Sequence, residues 1–333
     1  MSVTIRDVAA QAGVSPKTVS RVINGEAHVR PEVREAVMRV VDALDYRPNA
    51  FARGLSSARA FLIGLFFDDA TSGYAADVQR GALQRCRELS YHLVVEPIDL
   101  TRADWRGKLT GTLSELRLAG AILTPPICDS DDLIELLERQ GVPVVRIAPR
   151  LAPDRTASAR MDDRAAARDM TATLIADGHR DIAFIKGKPD HSATPLRWAG
   201  FRDALTEAGL PIRDDRVLQG DFTFRSGLEV GELLLAHESR PTAVFAANDE
   251  MALGVLVMAM RNHIAVPEAL SVVGFDDAPI ARMAWPQLTT IRQPNPEIAA
   301  AAVDLLVGAG AGTKATMELP YTLLKRASSG PVS

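Results

Sequence analysis

Beyond residue 60, short apolar runs alternate with amphipathic stretches of helical period, and this alternation leaves few folds open. Runs at 61–67, 93–98, 121–123, 142–147, 182–186, 243–246, 270–275 and 288–291 read as strands. Helical stretches at 75–89, 164–176, 195–208 and 250–261 lie between them. Strands that are apolar on both faces and separated by helices predict parallel sheets covered on both sides. Some 270 residues exceed one small doubly wound unit, so two such lobes are expected.

The first 60 residues follow different rules. Thr4 can cap a helix whose Ile5, Val8, Ala9 and Ala12 recur on one face, with Asp7 near its positive end. Gly13 can end it with a positive φ. Ser15 and Pro16 then suit the cap and first turn of a second helix, in which Val19, Val22 and Ile23 face inward. Pro31 starts a third, with an apolar stripe of Val33, Ala36, Val37, Val40, Val41 and Leu44. Arg30, rather than a serine or threonine, precedes Pro31. Three short helices with a tight turn between the first two match a helix-turn-helix, the alternative being the end of a generic three-helix bundle.

Short polar side chains on the exposed face of the second helix argue for the DNA-reading alternative, and the charge distribution suggests that the head meets a polyanion. The chain carries 38 basic and 42 acidic residues, a net −4. Residues 1–60 nonetheless hold nine Lys/Arg and six Asp/Glu, so the head is +3 and the remainder −7. Lys17 and Arg21, one turn apart on the second helix, can donate to guanine O6 and N7. Ser15, Thr18, Ser20 and Asn24 offer short groups for phosphates.

Residues 3–25, VTIRDVAAQAGVSPKTVSRVING, together with 45–55, DYRPNAFARGL, resemble the LacI/GalR family of transcription regulators. The resemblance continues through 173–185, 197–201, 245–254 and 271–277. It implies an N-terminal all-α helix-turn-helix DNA-binding domain (1–46), a hinge segment (47–60) and an effector-binding and dimerisation core (61–333). The core is expected to be α/β and periplasmic-binding-protein-like, with two doubly wound parallel-sheet lobes. Lobe one would take about 61–160 and 291–320, lobe two about 161–290 and 321–330, with crossovers near 160, 290 and 320. The partners implied are pseudo-palindromic double-stranded operator DNA, a second copy of the chain and a small effector of sugar type. Thr4, Pro16, His28 and Arg53 complete the candidate DNA contacts, and Leu55 would be the wedge that enters the minor groove. Residues 46–60 carry three arginines and no acid, which also fits a plain linker.

Strand ends and matching positions together nominate the effector residues: Asp68, Tyr74, Arg146, Arg197, Phe222, Asn248 and Asp276. Carboxylate and amide oxygens accept from sugar hydroxyls, Arg donates, and an aromatic plate covers an apolar sugar face. For Arg197 and Asp276 an ion pair between the lobes is the open alternative. Where the family often has an Asn-Pro-Phe-Phe-like stretch, this chain has Asp68 to Tyr74, DDATSGY.

Enzyme signatures fail on context. The glycine-rich 308–314 follows a helical pattern and precedes a strand-like one, the reverse of a phosphate loop. Asp190, His191 and Ser192 lack a nucleophile elbow and read as a loop. The pairs Asp68/Asp69, Asp162/Asp163 and Asp276/Asp277 should point apart, unlike a glycosidase pair. Cys86 and Cys128 make no disulfide framework, and no Cys/His spacing holds a metal, so no cofactor is expected. No run is long enough to span a membrane and no secretory leader is apparent, so a cytoplasmic protein is expected. A tail at 327–333, small and polar, reads as disordered and has no heptad repeat to make tetramers. The competing functions are a cytoplasmic sugar-binding protein, a transport-type binding protein and a sugar enzyme.

Overall fold

The computed structural model describes residues 3–23, 29–46, 61–68, 73–236, 239–308 and 314–332. The chain divides into two units, Met1–Phe61 and Leu62–Ser333. The expected hinge segment, with Arg53 and Leu55, lies outside the described residues, as do Asn24 and His28.

In the first unit α1 (Ile5–Gln11), α2 (Pro16–Ile23) and α3 (Pro31–Ala43) pack around Val8, Ala9, Val19, Val22 and Val37. At the start of α1 the Thr4 N–H and hydroxyl both donate to Asp7 Oδ2 at 2.7 Å. Gly13 ends α1 at φ +65°, where no neighbour lies within 4 Å of a built Cβ. The backbone conformation, not crowding, asks for glycine there. Ser15 Oγ accepts the Thr18 N–H at 3.2 Å and so caps α2.

The second unit holds two parallel sheets. The larger runs β11–β5–β4–β3–β1–β2. Its strands are β1 (Leu62–Phe67), β2 (His92–Pro97), β3 (Leu118–Leu123), β4 (Val144–Ile147), β5 (Ala157–Arg160) and β11 (Thr316–Glu318). The smaller runs β7–β6–β8–β9, from β6 (Ile182–Lys186), β7 (Val217–Gln219), β8 (Ala243–Ala246) and β9 (Ser271–Val273). A short antiparallel pair joins β10 (Thr290–Arg292) to β12 (Thr322–Leu324). The chain crosses from the larger to the smaller sheet after β5. It returns through β10 to α12 (Asn295–Val307), which packs on β3, β4 and β5, and crosses back between β11 and β12.

Helices cover both sheets. On the larger, α4 (Gly73–Glu88) packs against α12, and α5 (Trp105–Glu115) and α6 (Asp131–Arg139) lie elsewhere on it. On the smaller, α7 (Asp163–Ala176) pairs with α8 (Ala193–Glu207), and α9 (Phe224–Leu235) with α10 (Asp249–Arg261). A fifth, short helix, α11 (Pro279–Met283), follows β9. The α9–α10 contact is close because Gly254 faces Gly227; a Cβ at 254 would stand 2.5 Å from the Gly227 carbonyl carbon.

The C-terminal segment departs from expectation. Residues 327–332 are docked, not disordered. Ser328 is fully buried: its hydroxyl donates to Val272 O at 2.5 Å and accepts the Thr289 N–H at 2.8 Å. The Val272 N–H reaches Ser328 O at 2.8 Å, and Val332 N–H reaches Asp177 O at 2.9 Å. Small polar side chains are what a segment threaded beside a strand can bury, because each finds a backbone partner. Ser328→Ala leaves the Thr289 N–H without its acceptor. It is expected to cost about 1–3 kcal/mol, read as a lower urea midpoint at unchanged m-value.

Candidate functional site

On the first unit, α2 presents Lys17 and Arg21 on its exposed face, one turn apart. Ser15 and Pro16 are exposed beside them, with Thr18 and Ser20 half-buried. The hydroxyls of Ser15 and Thr18 lie 2.9 Å apart and that of Thr4 is bonded to Asp7, so these groups also shape the helix starts.

In the second unit the strands of both sheets end at one cavity of about 310 Å³. Parallel strands bring successive loops to the same edge, where the covering helices begin. Asp68 follows β1 and Tyr74 sits in the first turn of α4. Phe222 follows β7, Asn248 follows β8 and Asp276 follows β9, and Arg197 projects from α8. All six line the cavity.

Arg197 is the centre of the wall. Its side chain is buried; Nε donates to Asp163 Oδ1 at 2.8 Å and Nη1 to Ala247 O at 2.6 Å. Nη1 also stands 3.4 Å from Asp276 Oδ1, and the guanidinium lies 3.6 Å over the Phe275 ring. Gln293, just past β10, donates to the same Asp276 oxygen at 2.5 Å. Burial pushes the Asp276 carboxyl up to about 6, against the pull of Arg197 and Gln293 and with the push of Asp163 and Glu250. Arg197, Asp163 and Asp276 all come from elements of the four-stranded sheet, so the ion pair lies within one lobe and does not bridge two.

Phe222 is held in a strained pose, at φ +70°. Its ring lies on the bare backbone of Gly187, where a Cβ would come within 1.9 Å of Cζ. Asn248 Nδ2 donates to its carbonyl at 2.8 Å while Asn248 Oδ1 caps α10 on Met251 N at 3.0 Å. His191 meets the ring edge-on, with centroids 5.1 Å apart. Burial pushes the His191 imidazole down to about 3, helped by the positive charges of Arg197 and Lys188. It is neutral at physiological pH. Burial likewise pushes ionisation of the Tyr74 hydroxyl far up, so Tyr74 is a neutral group.

Arg146 does not belong to this site. It is 1 % exposed on β4, and its guanidinium donates to Thr156 Oγ1 at 3.0 Å, Leu151 O at 2.8 Å and the Ala152 carbonyl. A lone arginine on an apolar strand must satisfy its donors locally, and here it fastens the loop that follows β4. Conversely, Asp163, Lys188, His191, Asp221, Glu250 and Gln293 line the cavity and were not anticipated. His191 had a usable signal, since it stands just past β6; Gln293 had none without knowing that β10 is a crossing segment.

Residues 4–49 match the model for bacterial regulatory proteins of the lacI family, and residues 171–329 that for a periplasmic binding protein-like domain. Catabolite control protein A of Priestia megaterium is 37% identical over 309 residues, 92% of either chain. The chain belongs to the LacI family. Among solved LacI-family structures, the lac repressor dimer bound to operator and the anti-inducer ONPF aligns at TM-score 0.81 and 30% identity. That alignment covers 98% of this chain and 99% of that one. A complex of transcriptional regulator CelR with cellobiose aligns at 0.74 and 32% identity, over 98% and 99%.

As a member of the LacI family the chain is a DNA-binding transcription regulator, not an enzyme. Among the described residues, no helix is long and apolar enough to cross a membrane and no cluster of His, Cys, Asp and Glu could hold a metal ion. Replacing Arg197 with Met would leave Asp163 buried beside Asp276 without its counter-charge. We expect Arg197→Met to cost about 3–5 kcal/mol in denaturant unfolding, and Asp163→Asn added to it to cost less than the sum of the two single losses.

Proposed function

We propose that this regulator is a repressor that binds a pseudo-palindromic operator as a homodimer and changes its operator affinity when a sugar-type effector occupies the cleft. The observation that carries this reading is the pairing, in one LacI-family chain, of a helix-turn-helix that exposes Lys17 and Arg21 on its second helix with a cavity walled by Arg197, Asp276 and Phe222. In this reading residues 1–46 read DNA, 47–60 form the hinge and 61–333 respond to effector. Lys17 and Arg21 contact base edges. Thr4, Ser15, Pro16, Thr18, Ser20, Asn24, His28 and Arg53 hold the duplex, and Leu55 wedges the minor groove.

Asp276 and Asn248 accept from effector hydroxyls and Phe222 covers an apolar ring face. The cellobiose complex of the similar CelR supports a carbohydrate in such a cleft. Ligand binding would turn one lobe against the other. Operator affinity follows because the DNA-competent and released states bind effector unequally.

Selection of bound fragments from random duplex DNA, then a thermal-shift screen against sugars, nucleosides and purines, tests both halves. A purine or nucleoside hit would replace the sugar and leave the regulator. Arg21→Ala is expected to weaken the selected site by about 1–3 kcal/mol and random DNA much less; equal losses would make Arg21 a phosphate contact. Effector affinity is expected to be flat above pH 7 and to fall as pH drops through about 6, where Asp276 takes up a proton. At one unit below, about a tenth of the carboxylate remains, so calorimetry at pH 5 should read roughly tenfold weaker binding.

A further inference from the structure

We propose that the cleft excludes anions, so that it admits an uncharged polyhydroxylated ligand and rejects the phosphate ester of the same compound. The ligand class rests on the effector reading above; the sign of the field does not. Among the described residues, five carboxylates line the cavity: Asp68, Asp163, Asp221, Glu250 and Asp276. Two basic groups, Lys188 and Arg197, face them.

The arginine is already engaged. Its Nε and Nη1 serve Asp163, Ala247 O and Asp276 at 2.8, 2.6 and 3.4 Å, so a phosphate would have to displace protein carboxylates to gain a paired contact. His191 adds no charge, because burial first, and Arg197 and Lys188 after it, keep the imidazole neutral. Its Nδ1 lies 3.4 Å from the Ala193 N–H, which places the ring proton on Nε2 as a neutral donor. Lys188 is exposed at the rim.

The helices argue the other way at first sight, since α4, α7, α8, α9 and α10 begin at the cavity and a helix start attracts anions. Each start, however, is worth about half a positive charge. Three of the five already carry acids of the chain's own, Asp163 being the first residue of α7. Asp221 precedes α9, taking the Thr223 N–H at 2.9 Å and its hydroxyl at 2.6 Å. Burial opposes its charge, but these bonds hold its carboxyl below the usual range. At α10 the first turn carries Glu250, beside Asp249, whose carboxyl burial pushes well up. The chain's own acids thus occupy the starts of α7, α9 and α10, leaving only those of α4 and α8 without one.

A thiol reporter reads the field without any ligand. In Ala278→Cys the new thiol lines the cavity, while native Cys86 and Cys128 are both buried. Its rates with a cationic and an anionic methanethiosulfonate reagent at low salt are compared with those of free cysteine. We expect the cation-to-anion ratio to exceed that of the free thiol by about tenfold or more, and to drop when Asp221→Asn and Glu250→Gln are added. A ratio equal to or below that of free cysteine overturns the proposal.

Calorimetry with glucose against glucose 6-phosphate, and ribose against ribose 5-phosphate, then reads the selectivity. A phosphate ester that binds as tightly as its parent sugar also overturns it. Silence from every sugar would sink the sugar effector, with the thiol ratio still deciding the sign of the field.

Discussion

Much of the second unit's chemistry follows from the burial of one guanidinium. Arg197 could not be buried alone, because an ionised group taken from water costs several kcal/mol unless paired and hydrogen-bonded. Its partners come from the start of α7, the end of β8 and the loop after β9, so satisfying the charge ties three elements into one wall. The pairing is uneven. Two carboxylates meet one guanidinium, and burial above all, with the Asp163 and Glu250 charges adding to it, pushes the Asp276 carboxyl up to about 6.

The adjacent carboxylate faces the other way. Asp277 is almost fully buried and takes Arg326 Nη2 at 2.5 Å and Arg292 Nε at 2.8 Å. Burial works against its charge, but these bonds hold it below the usual carboxylate range. Asp276 and Asp277 both have positive φ, +117° and +54°, a costly backbone for non-glycine residues that the surrounding bonds must hold. Behind them Asp249 accepts the Ala278 N–H at 2.8 Å and the Thr290 hydroxyl at 2.6 Å. Arg292 belongs to the crossing strand β10, and Gln293 just beyond it holds Asp276. One dipeptide thus connects the cavity to a segment that joins the two sheets. Asp276 and Asp277 are each hydrogen-bonded to that segment, by Gln293 and Arg292.

How much of this could be read beforehand depended on whether a residue's role was local. The apolar run of β1 and the punctuation by Gly13, Ser15 and Pro16 are local signals, and the structure has those elements where the pattern puts them. Strand β5 escaped because Ser158 and Arg160 interrupt its apolar character. It is nonetheless an inner strand whose Ser158 hydroxyl lies 3.1 Å from that of Thr316 on β11. Arg146 was misread for a related reason. An arginine near a strand end looks like a ligand donor, and only the fold of the following loop shows that nearby oxygens consume it. His191 and Asp221 belong to the cavity because two loops meet over Phe222, a tertiary event without a sequence period.

The two units rest on different foundations. The second has an extensive buried core, whereas the first, among its described residues, closes around Val8, Ala9, Val19, Val22 and Val37. A core that small yields little net stability, since the entropy of ordering each residue is hardly smaller than in a large domain. Local devices therefore matter more there: the Thr4–Asp7 box, the Ser15 cap, and Arg34, which donates to Val22 O at 3.2 Å where α2 ends. Each satisfies backbone donors or acceptors at a helix end that would otherwise rely on water. Any partner that binds the folded unit adds stability by mass action. Ser15 and Thr18 both shape the start of α2, so the groups proposed to hold a duplex are among those that keep this unit folded.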